Sequence, residues 1–105
     1  MSNQTESDRI LFNNRVGPVV RSGDVAKAMA EAAVVDNPDK QVTVEANGAY
    51  TRIYTDGELI ITRSTMEEEL GRDFRMTELE VNLASFAGRI DVSDDHARFY
   101  YTTEL

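Results

Sequence analysis

The 105-residue sequence contains no cysteine and no tryptophan, a single histidine and two prolines. Without thiols it can form no disulfide, thiolate zinc site, cysteine-held iron–sulfur cluster or cysteine nucleophile. One histidine, His96, cannot supply a His-His site or the paired glutamate and histidine ligands of a helical iron centre, so any metal would have to be held by carboxylates alone. Glycines stand singly at positions 17, 23, 48, 57, 71 and 88, which leaves no glycine-rich phosphate cradle. No apolar run approaches the ~20 residues of a membrane-spanning helix, and the polar start from Met1 to Asp8 lacks the basic and apolar regions of a secretory signal. A cytoplasmic location, no membrane contact and no cofactor are expected.

Basic residues are scarce as well. Eleven lysines and arginines face 19 acids, for a formal net charge of −8. A surface of that sign repels phosphate backbones and anionic lipids, which argues against nucleic acid; a protein with a basic patch is the better-matched partner. Hydrophobic residues make up 41% and charged residues 29% of the chain. That balance, at this length, suits one folded domain and leaves no material for a second core. The expected division is a flexible polar tail over residues 1–9 and a domain over 10–105.

Apolar sequence opens at Ile10-Leu11-Phe12. Val16 to Arg21 suits an edge strand, because Pro18 has no N–H to give a ladder. Ser22-Gly23-Asp24 is a start signal for an alanine-rich helix from Val25 to about Val34, whose small side chains permit close packing on a sheet. Asp36-Asn37-Pro38 should stop it. Three strands follow: Val42, Val44 and Ala46 alternate with polar residues, and Tyr50 to Thr55 connects to Glu58 to Arg63 through Asp56-Gly57, a hairpin signal. That turn would pair Ile53 with Ile60, Tyr54 with Leu59 and Arg52 with Ile61, giving a sheet covered in part on both faces. Thr65 with Glu68, and Thr77 with Glu80, read as capping boxes that start a short helix ending at Gly71 and a longer one over Glu78 to Ala87 ending at Gly88. Two closing strands, Arg89 to Val92 and Ala97 to Thr102, flank a turn through Ser93, Asp94 and Asp95. The fold class is α+β, of β-α-β-β-β-α-α-β-β order with mostly antiparallel strands.

No catalytic constellation emerges. His96 sits beside Asp94 and Asp95 in an expected exposed turn, where a small hydrolase or isomerase site is the only enzymatic reading. Glu67, Glu68 and Glu69 point about 100° apart on a helix and cannot converge on one substrate; favourable charge at a helix N-terminus explains them better. The Thr77 helix is unusual. At helical spacing Leu79, Asn82, Leu83 and Phe86 share one face, so an amide intrudes on apolar company, while Val81 and Ala84 lie nearly opposite. Asn82 could be buried and bonded to neighbouring backbone, and Val81, Ala84 and Ser85 could form a low-charge patch for a partner's helix.

These residues carry a family resemblance. The runs Asn14 to Asp24, Asp36-Asn37-Pro38, Gly57 to Arg63, Glu67 to Arg72 and, most specifically, Glu78 to Gly88 resemble the effector (coupling or regulatory) proteins of bacterial multicomponent diiron monooxygenases. The toluene monooxygenase subgroup is the nearest, and the likeness covers residues 10 to about 102. It implies a non-catalytic, cofactorless subunit, monomeric when free, that binds a diiron hydroxylase, reshapes its active site and improves the rate, coupling and regiospecificity of aromatic hydroxylation. Partner-binding residues implied on this basis are Phe74, Met76, Val81, Asn82, Ala84, Ser85 and Phe86. The rival reading is a generic acidic adaptor domain unrelated to oxygenases.

Overall fold

In the computed structural model, which describes residues 14–101, alternating apolar and polar residues build seven antiparallel strands in two sheets. β1 (Arg15–Arg21), β2 (Thr43–Asn47), β3 (Tyr50–Asp56) and β5 (Leu83–Ala87) form one sheet in the order β2-β3-β1-β5. β4 (Glu58–Thr62), β6 (Arg89–Val92) and β7 (His96–Tyr100) form the other in the order β4-β7-β6. Three helices, α1 (Asp24–Asp36), α2 (Arg63–Leu70) and α3 (Met76–Asn82), complete the domain. The α+β class and the expected element order hold, with one strand more than expected. The tail over 1–9, the opening at Ile10-Leu11-Phe12 and the end of the last expected strand at Thr102 lie outside the described residues.

The core lies between the inner faces of the two sheets and the helices. Val16, Val20 and Ile53 from the first sheet meet Leu59, Ile61 and Phe99 from the second, all at 0% exposure. α1 buries Ala26, Ala28, Met29, Ala32 and Ala33. With mostly methyl groups on that face it can approach β4 and α2 closely, as the alanine content predicts. It ends where expected, and the ending is also a junction. Asn37 donates through Nδ2 to the Ala33 carbonyl (2.7 Å) and the Ile60 carbonyl (2.7 Å), while its Oδ1 accepts from the Ile60 N–H (3.0 Å). Asp36 Oδ2 accepts from the Thr62 N–H (2.8 Å), and its Oδ1 accepts from the Thr65 hydroxyl (2.7 Å). Two side chains thus stand in for a neighbouring strand along the open edge of β4.

Several expectations give way to tertiary pairing. Asp56-Gly57 makes no hairpin, so the Ile53–Ile60, Tyr54–Leu59 and Arg52–Ile61 pairs do not exist. β1 and β2 occupy both edges of β3, and β4 pairs with β7. At this corner the chain changes sheets, and the Gly57 backbone bonds to Asn14 and Tyr101 instead. The actual hairpin joins β2 to β3 through Gly48-Ala49, with Asn47 opposite Tyr50. No described residue covers the first sheet's outer face, where Tyr50 and Arg52 are exposed.

β1 is interior, contrary to the edge position inferred from Pro18. Its ladder to β3 skips Gly17 and Pro18, so the missing N–H costs no bond there. Gly17 is obligatory at this crossing: φ is +144°, and a Cβ would lie 1.9 Å from the Ile53 carbonyl oxygen. β5 replaces the last turn and a half of the helix expected to reach Ala87, because pairing with the open edge of β1 outweighs the helical preference of a segment containing Leu83, Ala84 and Ala87. The caps move too. Thr62, not Thr65, caps α2, accepting from the Thr65 N–H (3.3 Å), and Arg75 precedes α3 without a side-chain cap. Glu67, Glu68 and Glu69 therefore fall in the later part of α2 and not at its N-terminus.

Asn37→Ala should cost about 2–4 kcal/mol in urea unfolding, because it orphans the Ile60 N–H and carbonyl together. Asn37→Asp, which keeps the acceptor but turns a carboxylate oxygen onto the Ala33 and Ile60 carbonyls, should cost at least as much near neutral pH.

Candidate functional site

Among the described residues β5 is an edge strand, paired with β1 on one side only. Its residues Leu83-Ala84-Ser85-Phe86-Ala87 carry no charge, and all but Leu83 are exposed. Gly17 pairs with Ala87, Pro18 with Phe86 and Val19 with Ser85, after which the register shifts around Ala84 to bring Leu83 opposite Val20. Gly88 then turns the chain into β6 with φ +86°, where a Cβ would meet Val16 Cγ1 at 2.6 Å. This tight exit fixes where β5 lies on the sheet.

The residues expected at a partner surface separate into two groups. Val81 is 72% and Phe86 43% exposed, and Ala84 and Ser85 are exposed beside them. The Phe86 ring also tilts against buried Phe99, centroids 6.5 Å apart, so it belongs partly to the core. Asn82 is half-buried, and its Nδ2 donates to the Glu78 carbonyl (2.9 Å), a bond to its own helix and not to the sheet. Phe74 and Met76, by contrast, are 1% and 5% exposed. Both are core anchors at the α2–α3 connection, and Met76 also lines a depression of about 380 Å³ with Arg75, Thr77 and Glu80.

That connection is held by an acid. Glu67 Oε2 accepts from the Phe74 N–H (3.0 Å) and from Arg63 Nε (3.3 Å). The Phe74 backbone bond, aided by Arg63, holds its carboxyl below the usual value of 4.5. Nearby, Arg72 grips Glu78 with two N–H bonds of 3.2 and 2.7 Å, which lowers the Glu78 carboxyl in the same way.

The sheet's outer face holds residues that sequence reasoning did not single out. Gly17 and Val19 floor a depression of about 240 Å³ rimmed by Arg52, Tyr54 and Ser85. A neighbouring one of about 550 Å³ shares Val19 and Arg52 and extends to Glu45 and Tyr50. The signal was the alternation of Tyr50, Arg52 and Tyr54 with buried Thr51, Ile53 and Thr55, hidden by the assumption that both faces were covered.

Ser93, Asp95 and His96 come together, but not as a triad. The Ser93 hydroxyl (3.1 Å) and the Asp95 carboxylate (2.8 Å) both contact the same His96 nitrogen, Nδ1, whereas a proton relay needs the acid on one ring nitrogen and the hydroxyl on the other. The His96 bond, joined by one from Ser93, lowers the Asp95 carboxyl. Among the described residues no three His, Asp or Glu side chains are grouped to hold a metal, and no helix is long and apolar enough to cross a membrane.

A family model described as the MmoB/DmpM family matches residues 14–100. The effector subunit of the alkene monooxygenase system of Xanthobacter autotrophicus is 45% identical over 96% of this chain and 98% of its own. The stimulatory component DmpM of phenol 2-monooxygenase from Pseudomonas sp. strain CF600 is 35% identical over 71% of this chain and 81% of its own. A chain from a phenol hydroxylase–regulatory protein complex superposes with a TM-score of 0.72 at 36% identity, covering 84% of this chain and 99% of that one. The soluble methane monooxygenase regulatory protein B shares the fold, with a TM-score of 0.62 at 21% identity over 86% of this chain and 67% of that one.

Two outcomes follow from this geometry. A carboxyl lowered on folding stabilises above its unfolded value and loses that contribution as pH falls through the folded one. The stability difference between wild type and Glu67→Gln should therefore shrink as pH falls from about 6 to about 3 in urea titrations. His96→Ala should leave effector activity within about twofold of wild type, since its ring serves only the turn.

Proposed function

The chain belongs to the MmoB/DmpM family and is therefore an effector component of a multicomponent monooxygenase and not its catalyst, and we propose that it acts by docking on that system's diiron hydroxylase. Docking reshapes the hydroxylase active site and improves rate, coupling and regiospecificity, while a reductase and a Rieske-type component supply electrons. An effector with no redox group can bias its partner only by binding one conformation better than another. Free in solution it acts as a monomer.

One observation carries the docking reading: the uncharged edge strand exposed over Ala84–Ala87, next to the exposed Val81, on a chain of net charge −8. Uncharged, closely approachable surface with an aromatic at its centre suits a protein partner. Val81, Ala84, Ser85 and Phe86 supply the contact in this reading. Asn82 ends α3 so that the chain can turn into the strand, and Phe74 and Met76 anchor the helix from below.

For substrate we propose an aromatic hydrocarbon of the toluene class, on the likeness of the Glu78 to Gly88 run. The 45% identity to an alkene monooxygenase effector supports a second reading, in which the hydroxylase oxidises a small alkene. Adding the purified chain to toluene and alkene monooxygenase hydroxylases, each with its own electron-transfer components, separates the two. Product rate and coupling should rise with one of them; a flat response in both would overturn both substrate readings. Ala84→Arg, at an exposed position, should keep the wild-type melting midpoint and raise the half-stimulating concentration by roughly tenfold.

A further inference from the structure

We propose that the outer face of the four-stranded sheet is a carboxylate-receiving groove, occupied in the complex by an acidic segment of the hydroxylase with Arg52 as its anchoring contact. This rests on the effector reading and adds the chemistry of the contact. The overall charge of −8 points to a basic partner, but this face departs from the average.

Arg52 divides the two depressions and lines both. Glu45 is its direct cross-strand partner in register, and its carboxylate accepts from the Tyr54 hydroxyl (3.1 Å), while Arg52 forms no ion pair among the described residues. Arg52 thus lines the concave surface without an ionic partner there. The Arg15 guanidinium is engaged elsewhere, standing 4.9 Å from the centre of the Tyr54 ring on the rim of the same depression. The floor is small and apolar, since Gly17 has no side chain and Val19 only a short one. Ser85, whose hydroxyl makes no hydrogen bond among the described residues, offers a donor at the far side.

A planar fork over an apolar floor takes a carboxylate through two parallel N–H bonds, more tightly than an open surface would. Ser85 and Ala87 belong to both this groove and β5, so one partner could cover the edge strand and fill the groove together. A protein segment is favoured over nucleic acid or lipid because the groove opens onto the uncharged β5 edge, which offers a polyanion or an anionic bilayer no further cation.

The test uses the full chain and the hydroxylase of the Xanthobacter alkene monooxygenase system, whose effector is 45% identical. Affinity is titrated at two salt concentrations. Arg52→Gln should bind roughly tenfold more weakly with a shallower salt dependence, Arg52→Lys should lie between it and wild type, and Arg72→Gln, at the helical end, should change little. All should melt like wild type; if Arg52→Gln melts early, Arg52→Lys carries the test. Unchanged affinity in the Arg52 variants overturns the groove, while wild-type stimulation leaves the effector reading standing. A wild-type chain that binds neither this nor a toluene monooxygenase hydroxylase overturns both. Self-association that Arg52→Gln abolishes, with hydroxylase affinity intact, would make a second copy the occupant and also overturn it.

Discussion

The architecture depends on how the chain closes the open edge of β4. A strand edge in a small domain needs partners for its N–H and carbonyl groups, and here two consecutive side chains supply them. Asn37 bonds both backbone groups of Ile60 and Asp36 takes the Thr62 N–H, while the Asn37 amide also caps the Ala33 carbonyl of α1. One dipeptide therefore ends a helix, closes a sheet edge and, through Thr65, fixes the start of α2. The alanine face of α1 can pack closely only because this junction sets its position relative to the second sheet.

The other edges are managed differently. β2 carries Glu45, and β6 carries Arg89 and Asp91, charges that discourage another strand from adding on. β5 has no such guard. Natural domains seldom leave an exposed, uncharged edge without a use, since it invites aggregation. The acidic balance of the chain offsets the hazard by repulsion between copies. The same strand flanks the arginine-bearing groove, so apolar edge and cationic hollow lie side by side on an otherwise acidic molecule. The groups that could have suggested catalysis are spoken for: Ser93 and Asp95 converge on one nitrogen of His96, and Glu67 holds a backbone amide.

Much of the framework was readable from local rules. The helix from Asp24 stops at Asn37 because Pro38 follows, and the β6–β7 turn falls where Ser93, Asp94 and Asp95 place it. Errors arose wherever two legitimate local signals competed with pairing elsewhere. Asp56-Gly57 is good hairpin chemistry, but a turn makes a hairpin only if both strands have free facing edges, and β3 had none. Leu83 to Ala87 can continue a helix, and no local feature reveals that β1 has a vacant edge to offer.

The α+β class, the stop of α1, the absence of thiol chemistry and, through the Glu78 to Gly88 run, the family likeness follow from the order of residues alone. That half of that run is a strand, that Phe74 and Met76 are buried, and that Arg52 and Ser85 share a groove follow only from the folded arrangement. The physical reason is range. Capping, proline and alternation act over a few residues, whereas which strand edge is open, and which face remains in water, depends on pairings between residues dozens of positions apart.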